Sequence, residues 1–251
     1  MLDNLSLDNL LVFDIETVPQ TEDFSHLPEH FRQLWEHKTR RLAKEEDRTA
    51  ENFYERAGIY AEFGKVVCIS AGYFKKENDG LKFRVKSFAS EDETEVLLGF
   101  KSLLEKHFND PQKNGLCGHN IKEFDVPYLC RRMLINGIPL PAVLDLSGKK
   151  PWEVQHIDTM HLWKFGDIKS YTSLKLLAAV FHIATPKDDI DGSDVARVYW
   201  KEKNLPRIVT YCQKDVVTVA QLLLRFKGMP LIKEQDIAII NGGTPLSSPS
   251  L

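Results

Sequence analysis

The sequence predicts an α/β fold: one mixed five-stranded sheet flanked by helices, with a helical insertion after the first strand. Three patterns carry that expectation. Three strand-like runs come early, short strand-like runs then alternate with segments of helical period, and residues 193–226 are helical in pattern. With 251 residues, 43% hydrophobic and 27% charged, the chain is expected to fold as a single domain, 1–251, whose core needs no crosslinks.

The first strand is expected over 10–16 (LLVFDIE), closed by Val18-Pro19 because proline cannot extend a central ladder. Residues 20–60 change in character. They are rich in charge of both signs, and Phe31, Leu34 and Trp35 at i, i+3, i+4 predict one or two amphipathic helices. Strands follow at 65–73 and 81–88, joined by the turn-forming Glu77-Asn78-Asp79-Gly80. A helix over 91–108 follows from the spacing of Val96, Leu97, Phe100, Leu103, Leu104 and Phe108. Leu116–His119 reads as a short strand, Asp125–Asn136 as a helix stopped by Gly137-Ile138-Pro139, and Gln155–Thr159 as a fifth strand. Helices are expected over 173–181, 193–203 and 206–226, and the Gly-, Ser- and Pro-rich tail, 242–251, is expected to be mobile.

Composition excludes several classes. A net charge of −3 demands no polyanionic partner, although a basic groove can hide in such a balance. Cys68, Cys117, Cys130 and Cys212 form no CxxC pairs and read as reduced, buried thiols of a cytoplasmic protein. No run reaches the length of a membrane span, and the acidic start lacks the order of a signal peptide.

The chemistry lies in three segments. In strand phase Asp14 and Glu16 share a face, opposite Phe13 and Ile15, and two adjacent like charges ask for a cation between them. Taken alone the pair reads as a solvated strand end. The second segment is Gly118–Leu129, where a loop leads into a helix at Asp125; the third is Tyr211-Cys212-Gln213-Lys214-Asp215, whose i, i+4 spacing puts phenol and carboxylate on one helical face.

This ordered set resembles the three motifs of the DEDD, or DnaQ-like, exonuclease superfamily in its tyrosine-bearing DEDDy branch. It is similar to the proofreading domains of family-B DNA polymerases and to the predicted stand-alone bacterial 3'-5' exonucleases related to them. The resemblance spans residues 10–226 apart from the insertion. It implies a ribonuclease H-like fold, Asp14, Glu16, Asp125 and Asp215 as metal ligands, and Tyr211 as the residue that orients the attacking water. Four such carboxylates cannot all ionise together without divalent cations, and oxygen-only ligands suit two Mg2+ or Mn2+ ions. The expected substrate is single-stranded nucleic acid, with DNA favoured over RNA and no membrane partner. Proofreading would call for a polymerase or repair partner.

Thr17, Asn120, Phe124 and Ser173 are the expected substrate-binding residues by the same resemblance. Each also has a plain structural role: Thr17 as a strand cap, Phe124 as core packing and Ser173 as a helix cap. Asp158-Thr159 reads as a helix cap that could double as a supporting carboxylate. His107, His119, His156, His161 and His182 show no ligand spacing and read as satisfied or exposed histidines. Arg131, Arg132, Lys149, Lys150, Lys164, Lys169 and Lys175 are candidates for a nucleic-acid track, or simply a solvated face. The insertion is either a helical cover on the sheet edge or an arm over the substrate groove. Competing functions are an exoribonuclease or oligonucleotide-degrading enzyme on the same chemistry, and a non-catalytic nucleic-acid-binding module.

Overall fold

The structure, a computed structural model, describes residues 2–167, 169–184 and 190–240. The tail expected to be mobile lies outside the described residues. Strand β1 (Leu10–Pro19) leads into the insertion, which holds helices α1 (Glu29–Glu45) and α2 (Ala50–Phe53) and a tight 3-10 turn at Tyr54–Ile59. A long hairpin follows, β2 (Gly64–Glu77) and β3 (Gly80–Ala89), then α3 (Glu93–His107), β4 (Gly115–Gly118) and α4 (Asp125–Ile135). Next come β5 (Ile157–Asp158), α5 (Thr159–Lys164), α6 (Leu174–Val180), α7 (Val195–Trp200), α8 (Leu205–Phe226) and β6 (Ile237–Ile240).

Among the described residues the sheet has six strands, not five, in the order β5-β4-β1-β2-β3-β6. β1 pairs antiparallel with β2 and parallel with β4; β2 and β3 are antiparallel; β4–β5 and β3–β6 are parallel. The additional strand, Ile237-Ala238-Ile239-Ile240, is a four-residue apolar run that extends the β3 edge. In the hairpin Glu77 pairs with Gly80, whose φ of 138° suits glycine and closes the two-residue turn.

β1 is longer than its expected 10–16 and is covered on both faces, which explains why LLVF is a continuous apolar run rather than an alternation. Leu11, Phe13 and Ile15 pack with α3 and α4 through Leu97, Phe100, Leu104 and Leu129. Leu10 and Val12 pack on the other face against Val216, Val219, Ala220 and Leu223 of α8. The face that carries Asp14 and Glu16, which taken alone read as a solvated strand end, lies under α8. The β1–β2 register shifts between Glu16 and Thr17, a bulge that re-aims the strand end where the carboxylates emerge.

A buried clamp fixes α3, α4 and β2 to one another. Arg132 donates through Nε and Nη2 to Glu93 at 2.9 and 2.5 Å and through Nη1 to the Ala61 carbonyl at 2.8 Å. Glu93 also accepts from the Val66 amide at 2.7 Å and from Asn136 Nδ2 at 3.0 Å. Both members are buried and every charge finds a partner, as an ion pair away from water requires. Arg132 is thereby withdrawn from the expected basic track.

The insertion has a core of its own. Trp35 is fully buried among Leu27, Phe53, Tyr54, Ala57 and Phe63, and its Nε1 donates to the Ala50 carbonyl at 2.8 Å. Its two ends are tied together where the Gln20 amide donates to the Phe63 carbonyl at 2.9 Å. No helix among the described residues is long and apolar enough to cross a membrane.

Candidate active site

Three elements deliver the five motif residues to one place. β1 supplies Asp14 and Glu16 on the α8 side, α4 begins at Asp125, and α8 presents Tyr211 and Asp215 one turn apart. All five line a single open groove of about 1680 Å³, together with Thr17, Asn120 and Phe124. Ser173 is not part of that lining; its Oγ accepts from the Leu176 amide at 3.2 Å and caps α6.

The site is held by short-range bonds. Asp125 Oδ1 accepts from the Ile15 amide at 3.2 Å, which ties the second motif to the first. The Cys212 thiol lies 3.5 Å from both the backbone oxygen and Oδ2 of Asp14, so the third motif is anchored to the first as well. Asp14, Glu16 and Cys212 each offer an atom within 4.8 Å of the other two. Cys212 was not singled out from the sequence, although its i, i+3 spacing to Asp215 places it on the same stripe of α8.

The electrostatics are those of crowded acids. Burial, then Asp125 and Asp215, pushes the Asp14 carboxyl well above its ordinary 3.8. Burial, then Asp14, does the same to Glu16. Asp125 is pushed up to about 7 by burial, against the backbone amides that stabilise its charge. The Tyr211 phenol is raised far above 10 by burial and by Asp215, so it remains a hydrogen-bond donor at any physiological pH. Raised, mutually repelling carboxylates are the surroundings that a hard divalent cation relieves, and the acids fit such a group.

Neighbouring residues brace the second motif. Asp158 caps α5 through the Met160 and His161 amides, and the same carboxylate accepts from the Asn120 and Lys122 amides at 3.0 Å. It thus combines the two roles expected of it. Asn120 sits at φ 65°, and its Oδ1 is buried without a partner among the described residues. His119 spans Thr159 Oγ1 at 2.9 Å and the Thr172 carbonyl at 2.8 Å, a satisfied histidine. His156 Nδ1 accepts from the Leu116 amide, and burial pushes its ring down to about 4.

Two further parts complete the groove: the insertion, for which an arm over the groove is one of the two expected roles, and α7, for which the sequence predicts no place at the site. The insertion forms one wall, with Arg48, Arg56 and Ile59 in the lining, and α7 forms the other with Arg197, Trp200 and Lys201. None of the seven side chains proposed for a basic track lines the groove; Lys164, for one, pairs with Glu123 at 3.4 Å.

Comparison with known proteins agrees with this geometry. A family B DNA polymerase from the hyperthermophilic archaeon Pyrobaculum calidifontis matches with a TM-score of 0.53 and 21% identity, over 86% of this chain and 24% of the polymerase. The chain thus spans about a quarter of that enzyme's length, and the likeness shows the ribonuclease H-like fold. No curated protein sequence matches the chain. Residues 59–235, which carry Asp125, Tyr211 and Asp215, match a family model, and the chain belongs to that family, the predicted 3'-5' exonucleases related to the exonuclease domain of PolB.

Proposed function

We propose that the chain works as a single domain that removes nucleotides one at a time from the 3' ends of single-stranded nucleic acid, DNA in preference to RNA, with two Mg2+ or Mn2+ ions. The observation that carries this reading is the convergence of Asp14, Glu16, Asp125 and Asp215 with Tyr211 on the floor of one groove. The four carboxylates would hold the ions, which supply positive charge at the attacking and leaving oxygens of the phosphodiester.

The chain's own residues do the rest. Tyr211, kept protonated by burial and by Asp215, orients the attacking water rather than removing its proton. Asn120 lines the groove beside Asp125, where its side-chain amide would bond the terminal nucleotide. Thr17 and Phe124 line the same part of the site, where Phe124 offers a ring edge to the last base. The bulge after Glu16 and the Asp125–Ile15 bond keep the carboxylates in register before substrate arrives.

The test is a time course on 3'-labelled and 5'-labelled DNA and RNA, single- and double-stranded, with Mg2+, Mn2+ or chelator. Mononucleotides should leave 3' ends of single-stranded DNA in the presence of either ion, and Asp14→Ala should abolish their release. Faster release from RNA would move the substrate to the exoribonuclease class. Binding without any release in either metal would identify a non-catalytic module and overturn the proposal.

A further inference from the structure

We propose that the insertion between β1 and β2 is a substrate-binding wall, in which Ile59 packs against a base near the strand end and Arg48 and Arg56 hold the backbone phosphates behind it. The substrate named here rests on the exonuclease reading above. The role itself rests on three observations about the insertion.

The first is an apolar side chain exposed in the groove lining. Ile59 is 54% exposed yet lines the groove that holds Asp14, Glu16 and Thr17. An apolar side chain in the groove lining gains when a flat apolar base covers it and takes its surface from water.

The second is rigidity. Gly58, immediately before Ile59, lies so close to β1 that a Cβ there would meet the Val18 backbone at 3.1 Å. Its carbonyl accepts from Tyr128 Oη of α4 at 2.8 Å. Ile59 is therefore presented from a turn fixed to both the first and second motif elements, rather than from a loose loop.

The third is charge placed along the same wall. Arg48 and Arg56 approach the Phe53 ring at 5.7 and 5.0 Å, one stack that fixes both guanidiniums at the groove. Arg56 is engaged on Nη1 alone, by Glu46 at 2.7 Å, whereas Arg48 pairs with Glu55 at 2.8 Å, with Glu46 at 3.9 Å and with the Asn52 carbonyl, so a phosphate at this wall would use the remaining donors of Arg56 and displace exposed glutamates from Arg48. Arg48 and Arg56 precede residues 59–235, the part of the chain that the family model matches.

The experiment uses the full chain and a 5'-fluorescein-labelled single strand. Binding is followed by anisotropy in chelator, so that no turnover intervenes, and cleavage is followed separately with Mg2+. Ile59→Ala should weaken binding and raise KM by about fivefold, the worth of a partly buried branched side chain. Replacing both Arg48 and Arg56 by Gln should lower the steepness of log affinity against log salt by about 1.4, two single-strand phosphate contacts. Replacing both by Lys should restore most of that steepness, and thermal melts identify any variant that has lost its fold. If the wild type cleaves while all three variants bind and melt as it does, the insertion is a structural cover and the proposal falls. If the wild type binds single strands without cleaving them, the exonuclease reading falls and the same variants still decide the wall. Absence of both binding and cleavage would overturn both.

Discussion

Removing the charge of Asp125 should make the metal-free protein more stable even as it destroys the site. Burial raises this carboxyl from an ordinary 3.8 to about 7. An acid whose folded value is raised destabilises the fold when it ionises. There is no penalty below about 3.8, where both folded and unfolded states are protonated; it grows as pH rises and is complete above about 7. At about 1.4 kcal/mol per pH unit the gap amounts to roughly 4 kcal/mol. That figure is a ceiling, because Asp14 and Glu16 share the cluster and protonation of one relieves the others. For a domain of this size it corresponds to a Tm difference of up to about 8–16 °C. The assay is thermal melting in chelator from pH 5 to pH 8, for wild type and Asp125→Asn. Wild type should lose stability toward pH 8, and the variant, which keeps an acceptor for the Ile15 amide, should lose less and melt higher at pH 8. Mg2+ at about a hundred times its Kd should return roughly 2.7 kcal/mol to the wild type and little to the variant. A wild-type Tm that ignores both pH and Mg2+ would refute the reasoning, since it would mean that the cluster carries no uncompensated charge.

Other consequences are more local. Tyr211→Phe should lower kcat about tenfold, the worth of one hydrogen bond to the attacking water, while stabilisation by Mg2+ in a melt is retained; an unchanged kcat would remove the orienting role. Arg132→Met leaves Glu93 buried without its cation and should destabilise the fold by about 3–5 kcal/mol, read by urea unfolding, with the double change Glu93→Gln/Arg132→Met recovering part of the loss. Trp35→Ala empties the centre of the insertion and should lower stability by about 3–5 kcal/mol; limited proteolysis should then cut first within 20–60, and cutting elsewhere first would show that the insertion is not an independent packing unit.

The parts of this molecule that were legible in the sequence are those set by local phase. Helical spacing found α3, α4 and α8 within a few residues of their observed ends, because each buries one apolar stripe against the sheet. The carboxylates stood out because acids inside apolar runs have no packing reason to be there, and the order of the three segments then tied them to one site. Contacts between distant segments were not legible. Asp14 and Glu16 taken alone read as a solvated strand end, and nothing local announces that α8, two hundred residues on, covers that face of β1. β6 was missed because four apolar residues carry no period long enough to recognise, and only pairing with Phe83–Lys86 makes them a strand. Arg132 looked like one of many surface cations, and nothing in its neighbours announces that Glu93 lies in reach. The insertion shows the same limit at the site itself. Its amphipathic spacing announces a helix, yet the Gln20–Phe63 bond and the Gly58–Tyr128 bond decide that it stands beside the carboxylates instead of on the sheet edge. Sequence pattern therefore reached the residues that would carry the chemistry, which are constrained by their own charge, and left the insertion divided between a cover and an arm over the groove, because a wall is defined by what it closes over.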